Sequence, residues 1–278
     1  MTVLVYMILC AANETQPSST QFFNTSRLNV LVAGIIYCGL LLYFIYHARR
    51  GKEMFVRKIA GLDAVEEAVG RATEMGKAIL YIPGLASIDT VATLASMNIL
   101  SQVAKKTAIY NTTLLVPNRD PLVYTVAREV VKEAYTDAGR PDAFNQDNVY
   151  FITQDQFGYT SAVCGTMVRD KPATNLFLGQ FWAESLVLAE TGATTGAVQI
   201  AGTDSIFQLP FFIVACDYTL IGEELYAASA YLSKEPLLLG SLKGQDWGKM
   251  IILAVLVAAS IIALLGFDKV VTFFNTSS

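Results

Sequence analysis

The sequence predicts an α/β protein, built on a doubly wound and mostly parallel sheet and flanked by two transmembrane helices. Three observations carry that expectation. The chain has 278 residues, 53% of them hydrophobic and 16% charged, with a mean hydropathy of +0.44, too apolar for a soluble domain of this length. Two uncharged runs account for the excess, VLVAGIIYCGLLLYFIY at 30–46 and MIILAVLVAASIIALLGF at 250–267. Between them, short apolar runs alternate with segments of three-and-four periodicity, the pattern of strands covered on both faces by helices.

The first segment, MTVLVYMILCAA, has no basic residue ahead of it and is too short to span a bilayer as a helix. The reading favours a retained interfacial or partner-packed segment over a signal cleaved after Ala12. NETQPSSTQFFNTSR, 13–27, follows as a polar external linker. A helix rises ~1.5 Å per residue and the hydrocarbon layer is ~30 Å thick, so each apolar run with its flanks suffices to cross. The expected organisation is an external segment 1–27, spans at 28–47 and 249–267, a domain at 53–245 and an external tail at 268–278. A buried core helix normally keeps a polar edge, which both runs lack.

Flanking charge sets the orientation. Arg49, Arg50, Lys52, Arg57 and Lys58 follow the first span while only Arg27 precedes it, and Lys243 and Lys249 precede the second. Lysine and arginine near span ends stay on the cytoplasmic side, so the domain is expected in the cytoplasm, with both termini outside the inner membrane. Trp247, Tyr43 and Tyr46 then fall at the inner interface. The juxtamembrane basic cluster suits acidic lipid headgroups.

Within the domain the expected strands are AILYI (78–82), TLLVP (113–117), VYFIT (149–153), NLFLG (175–179), AVQIA (197–201) and FFIVAC (211–216). Amphipathic helices are marked by Val91, Leu94, Ala95 and Val103, and by Val123, Val126, Ala127, Val130 and Ala134. Asp63-Ala64-Val65-Glu66 reads as a capping box, with Gly76 closing that helix. Asp120-Pro121 supplies an N-cap and a first-turn proline, and Gly139-Arg140-Pro141 ends the same helix. The alternation is that of a Rossmann-like or flavodoxin-like domain. Only 202–210 separate the last two expected strands, so the sixth is read as antiparallel or joined by a single helical turn.

AETGATTGAVQIAGTDS, 189–205, asks whether the chain cradles a phosphate. It has neither the GxxxxGK spacing and lysine of a phosphate loop nor the GxGxxG of a dinucleotide site. Residues 191–196 read as a helix end, with Gly192 in the left-handed position. Gly202-Thr203-Asp204-Ser205, by contrast, follows a strand, where open α/β sheets place ligands. The candidate ligand-binding set is Arg119, Asp155, Thr203, Asp204 and Asp217, around an anionic, polyhydroxylated or nucleotide-like ligand. The aspartates equally read as helix caps, and Arg119 as a clamp for carboxylate or phosphate or as a solvated surface residue.

No catalytic residue, metal site or cofactor is nominated. The single histidine, His47, sits at a membrane boundary, which leaves a domain nucleophile without a histidine base. Cys10, Cys38, Cys164 and Cys216 show no CxxC spacing and read as reduced thiols. Glu184 and Glu190 point about 240° apart on their helix and so share no face, and Glu184 near its start suits the macrodipole. Glu223-Glu224 open a helix whose Ala227, Ala228, Ser229 and Ala230 form a small-residue surface. Gly34 with Cys38, and Ala254 with Ala258, stand at the spacing that lets membrane helices approach. Neither span carries an internal acid or base, which argues against a proton relay through one subunit.

The blocks GLDAVEEAVGRATEMGK, IDTVATLASMNIL, VPNRDP, EVVKEAYTDAGRPDAF, QIAGTD, LPFFIVACDYTLIGEELYAASAYLS and LLLGSLKGQDWGK resemble a family of uncharacterised prokaryotic membrane proteins classed as a domain of unknown function. The resemblance covers most of 59–249. It implies a bacterial or archaeal cytoplasmic membrane and supplies no reaction, ligand or catalytic residue. The expected function is a membrane-anchored scaffold or assembly module without catalysis, a homo-oligomer or an accessory part of a larger membrane complex. The rival is a small-molecule sensor or an enzyme working at the carboxyl edge of the sheet. The net charge of −4 and the lack of a basic stripe in the domain argue against nucleic acid as a partner.

Overall fold

A computed structural model describes residues 28–50, 60–233 and 235–264. The expected external segment 1–27, the basic residues Lys52, Arg57 and Lys58, and the tail 268–278 lie outside these. The chain divides into two compact units, 1–55 with 235–278, and 56–234.

The second unit is the α/β domain. Helix α1 (Leu28–Arg49) belongs to the first unit, and the domain starts with α2 (Ala60–Met75). Then follow β1 (Ile79–Ile82), α3 (Val91–Tyr110), β2 (Leu114–Asn118), α4 (Pro121–Asp137) and β3 (Val149–Phe151). The second half contains α5 (Gln156–Asp170), β4 (Thr174–Leu178), α6 (Ser185–Thr194), β5 (Val198–Thr203), α7 (Leu209–Ala215), β6 (Tyr218–Ile221) and α8 (Glu223–Ser233). The six strands form one sheet in the order β3-β2-β1-β4-β5-β6, and every neighbouring pair is parallel. The chain therefore reverses its direction of travel between β1 and β4.

Alternation along the strands splits the core in two. Ile79, Tyr81, Val116, Leu176 and Leu178 face α2, α3, α4 and α8. Leu80, Ile82 and Phe177 face α5, α6 and α7, where Phe177, Phe181 and Phe212 pack ring against ring. Both faces are thus dry, which is why the strands read as unbroken apolar runs.

Three expected details are corrected. The run FFIVAC is not the sixth strand. Pro210 opens a helix there, Leu209 and Phe212 turn inward at a helical spacing of three, and the sixth strand is YTLI, parallel to β5. The short α7 resolves the connection that looked too brief for a parallel crossover. Gly192 is not the left-handed residue either. Helix α6 runs on to Thr194, Gly196 takes φ +72°, and Gly192 lies buried against β4 and β5, where a Cβ would overlap the Gln199 amide. Asp63 sits inside the first turn of α2, which starts at Ala60, rather than at its N-cap. The caps at Asp120 and Gly139 are as expected: the Asp120 carboxylate accepts from Leu122 N and Val123 N, and Gly139 has φ +72°.

In the first unit, α9 (Pro236–Leu264) runs antiparallel to α1. Three glycines spaced by four make the contact. A Cβ on Gly240 would lie 2.8 Å from Ile45 Cα, one on Gly244 2.9 Å from Leu41 Cδ2, and one on Gly248 2.6 Å from Tyr37 Cε2. The stripe lets the two backbones approach, as small residues do between membrane helices. The pairs singled out in the sequence do not serve here: Gly34 faces open space, and Ala254 and Ala258 are exposed. Both helices are long and apolar enough to cross a membrane.

Gly244→Leu should force the hairpin apart at a cost of roughly 1–3 kcal/mol, as overpacking does. Thermal unfolding of the full chain in mild detergent should show a lower Tm for this variant, and no change for Gly34→Leu, which meets nothing.

Candidate functional site

In an open parallel sheet, a crevice forms beyond the carboxyl ends of the strands where the strand order reverses. Here that place lies between the loops following β1 and β4, and the two loops fill it themselves. Gly84, at φ +85°, and Gly179, at φ +140°, cross backbone against backbone. A Cβ on Gly84 would come 2.6 Å from Gln180 O, and one on Gly179 would overlap Pro83 O. Leu85 N–H donates to Gln180 O at 2.9 Å, and Gly179 N–H to Gly202 O at 2.9 Å.

Arg119 locks this arrangement from the loop after β2. Its Nη1 donates to Leu85 O at 2.7 Å and its Nε to Gln154 O at 2.8 Å, while Cζ stands 5.0 Å from the Trp182 ring centroid. One planar cation thus ties together the loops after β1, β2, β3 and β4, using the fixed fork and stacking face that lysine lacks. Below it, β1 and β2 pair only through Ile79↔Leu114 and Leu80↔Leu115. Pro117 has no N–H to continue a ladder, and the Tyr159 hydroxyl donates to its carbonyl at 3.0 Å.

Glu184 closes the other side. It is 1% exposed, accepts from Trp182 N at 2.7 Å and from Gln156 Nε2 at 2.5 Å, and stands at the N-terminus of α6. The sequence placed Glu184 near a helix start but gave no sign of its hydrogen-bonded role. Trp182 and the carbonyls of Leu85 and Gln154 were missed entirely, because a backbone acceptor has no residue-type signature.

The remaining candidates occupy separate places. Asp155 caps α5, its Oδ1 accepting from Gly158 N at 2.6 Å. Thr203 is buried at the end of β5, and its Oγ1 accepts from Ser205 N at 3.2 Å. Asp204 accepts from the Tyr226 hydroxyl of α8 at 2.6 Å. Among the described residues no hydrogen bond joins the Arg119 group to Thr203 or Asp204. Asp217 lies at the opposite, amino edge, because the sixth strand starts after it instead of ending before it. Its Oδ2 accepts from Gln199 N at 2.8 Å. There it borders a cleft of about 320 Å³ with Glu67, Arg71, Val198 and Tyr218.

Burial shifts several tyrosines and one thiol of the domain. Burial pushes the Tyr81 and Tyr159 phenols far above their ordinary value of 10.0, and Tyr159 is raised further by Tyr150 and Glu184. Burial, then hydrogen bonding to Asp204, raises Tyr226. Burial, aided by Asp217, pushes the Cys216 thiol up to about 12, which removes thiolate at neutral pH. Among the described residues no group of three His, Cys, Asp or Glu side chains is placed to hold a metal ion.

Residues 18–274 match the family described as Domain of unknown function (DUF6754), and the chain belongs to that family. No curated protein matches the chain.

Removing the Arg119 fork should be costly, since hydrogen bonds from a charged donor contribute roughly 1.5–3 kcal/mol each. Arg119→Ala is expected to lower Tm by at least about 4 °C in a domain of this size. Arg119→Lys should recover less than half of the loss, because its ammonium neither forks nor stacks.

Above pH 10, unfolded Tyr81 and Tyr159 lose protons that the folded chain retains, so stability must fall as pH rises. Each contributes a slope of about 1.4 kcal/mol per pH unit. Tyrosinate absorbance should therefore rise together with loss of the folded signal, and Tyr159→Phe should flatten the dependence.

Proposed function

We propose that this DUF6754 protein is a membrane-anchored scaffold or assembly module, forming a homo-oligomer or an accessory part of a larger complex in a prokaryotic inner membrane. The observation that carries the reading is the close packing at the carboxyl edge, where Gly84, Gly179, Arg119 and Glu184 direct their interactions to neighbouring loops at the switch point. The strand order β3-β2-β1-β4-β5-β6 supports a Rossmann-like rather than a flavodoxin-like domain. A fold of that kind with its ligand position filled retains the rigidity of the sheet and gives up the binding site.

The hairpin supports the membrane part of the reading. Its apolar residues face outward, with Ile35 64%, Leu42 66% and Leu253 64% exposed, as lipid contact requires. Its helices are antiparallel, so the ends at 49 and 236, which lead to the intervening domain, emerge at the same end of the hairpin. Together with the basic residues after α1, this favours a cytoplasmic domain and external termini. Tethering in the plane of a bilayer raises the effective concentration of copies for assembly.

The sensor or enzyme reading has one favourable observation. Arg119 is held by neutral carbonyls, which leave its positive charge for an anion able to displace Leu85 and Gln154.

Native mass measurement of the full chain in mild detergent should give a defined oligomer that persists on dilution, and monomers across the whole range would overturn the assembly reading. Thermal-shift screening with nucleotides and sugar phosphates should leave Tm unchanged. Stabilisation that disappears in Arg119→Ala would establish the sensor reading instead.

A further inference from the structure

The second half of the domain carries an apolar surface that nothing in its own unit covers. The loop from β5 into α7 presents Ile206 at 79% and Phe207 at 84% exposure, and the outer side of α7 adds Phe211, Ile213 and Val214, the last at 88%. Residues 205–216, SIFQLPFFIVAC, contain no charge. The inward Phe212 already anchors α7 in the core and Leu209 is buried, whereas Ile206, Phe207, Phe211, Ile213 and Val214 belong to no core cluster among the described residues.

Area helps to identify what covers it. Taking ~150–250 Å² for a whole aromatic side chain, the five outward residues expose on the order of 600 Å² of apolar surface. That reaches the upper end of the ~300–600 Å² found for the largest patch on a monomer. Helix α6 packs beside α7, and its exposed Leu186 and Val187, with Trp182, bring the surface to roughly the 800 Å² that each partner contributes to a standard interface. Interface cores are depleted of charge, and interfaces between identical chains are more apolar than the rest of the surface.

Charge argues against the bilayer as the occupant. No lysine, arginine or histidine occurs between Lys171 and Lys234, whereas Glu184, Glu190, Asp204, Asp217, Glu223 and Glu224 do. Residues 172–233 therefore lack the basic flank by which interfacial helices engage anionic headgroups.

We propose that a second copy of this chain docks on the α7 face, each copy presenting the same outward Phe207, Phe211, Ile213 and Val214 about a two-fold axis. Asp204 and Asp217, on either side of the uncharged segment, stay at the wet rim. The proposal rests on the assembly reading and assigns it a surface.

The test is self-association of the full chain in lipid nanodiscs and mild detergent, for wild type, Phe207→Asp, Val214→Asp and the uncharged pair Phe207→Ser with Val214→Ser. Both positions are almost fully exposed, so Tm should stay at the wild-type value while association weakens by at least about 30-fold per aspartate. A wild-type oligomer that survives every substitution overturns the α7 face and leaves the assembly reading standing. A monomeric wild type overturns both. A fluorophore at Ile206→Cys, in a cysteine-free background, should be shielded on association and unaffected by spin-labelled lipid. Quenching by such lipid in nanodiscs holding a single copy would assign the face to the bilayer and overturn the proposal.

Discussion

The carboxyl edge of the sheet depends on a single cationic plane. Four loops end there, and each leaves carbonyls that must find donors. Arg119 supplies two of these donors from one rigid group and lays its apolar face on Trp182. Gly84 and Gly179 allow the β1 and β4 loops to meet at backbone distance, a contact no side chain would tolerate. The result is a doubly wound sheet whose usual ligand position is occupied by its own chain. Tyr159 and Glu184 lie directly beneath, and their burial is tolerable only because each finds a partner in the same set of loops.

The sequence made the layers of this protein readable and their joints unreadable. Five of the six strands and the major helices follow from apolar runs and caps, because burial on both faces and a missing amide both leave marks in residue type. FFIVAC misled for a physical reason: a short helix with an apolar outer side has no polar residues to reveal its period, so it reads as a buried strand. That one displacement moved Asp217 from the carboxyl edge to the amino edge. Gly192 misled similarly, since glycine is required both by a left-handed turn and by close packing, and here Gln199 and Asn175 demand the latter. Arg119 was read as an anion clamp or a solvated surface residue, and its place in the structure is a fork onto two carbonyls. Its partners, two carbonyls and a ring, could not be inferred from spacing.

The hairpin shows the same division between what is readable and what is not. Its apolar helices were evident from composition. The seam that joins them was not, because Gly240, Gly244 and Gly248 all lie ahead of the uncharged run, in a stretch that holds Lys243, Asp246 and Lys249. The continuous α9 joins this polar-flanked glycine stripe to the uncharged run, so the close approach lies toward the amino end of α9. Beyond Gly248 the helix exposes Leu253, Val257 and Ile261.

Two features of the domain have one cause if its role is assembly. A binding site requires loops free to move at the carboxyl edge, and an assembly surface requires a rigid platform. Arg119 provides the second at the expense of the first. Helix α7 is short, and its inward Phe212 packs against Phe177 and Phe181 while Leu209 is also buried, which anchors the backbone that carries the outward residues. Rigid apolar side chains lose little conformational freedom on docking, so a preorganised face of this kind associates more tightly than a mobile one of equal area. In that role the uncharged centre of the face, flanked in sequence by Asp204 and Asp217, suits a complementary apolar surface better than a charged one.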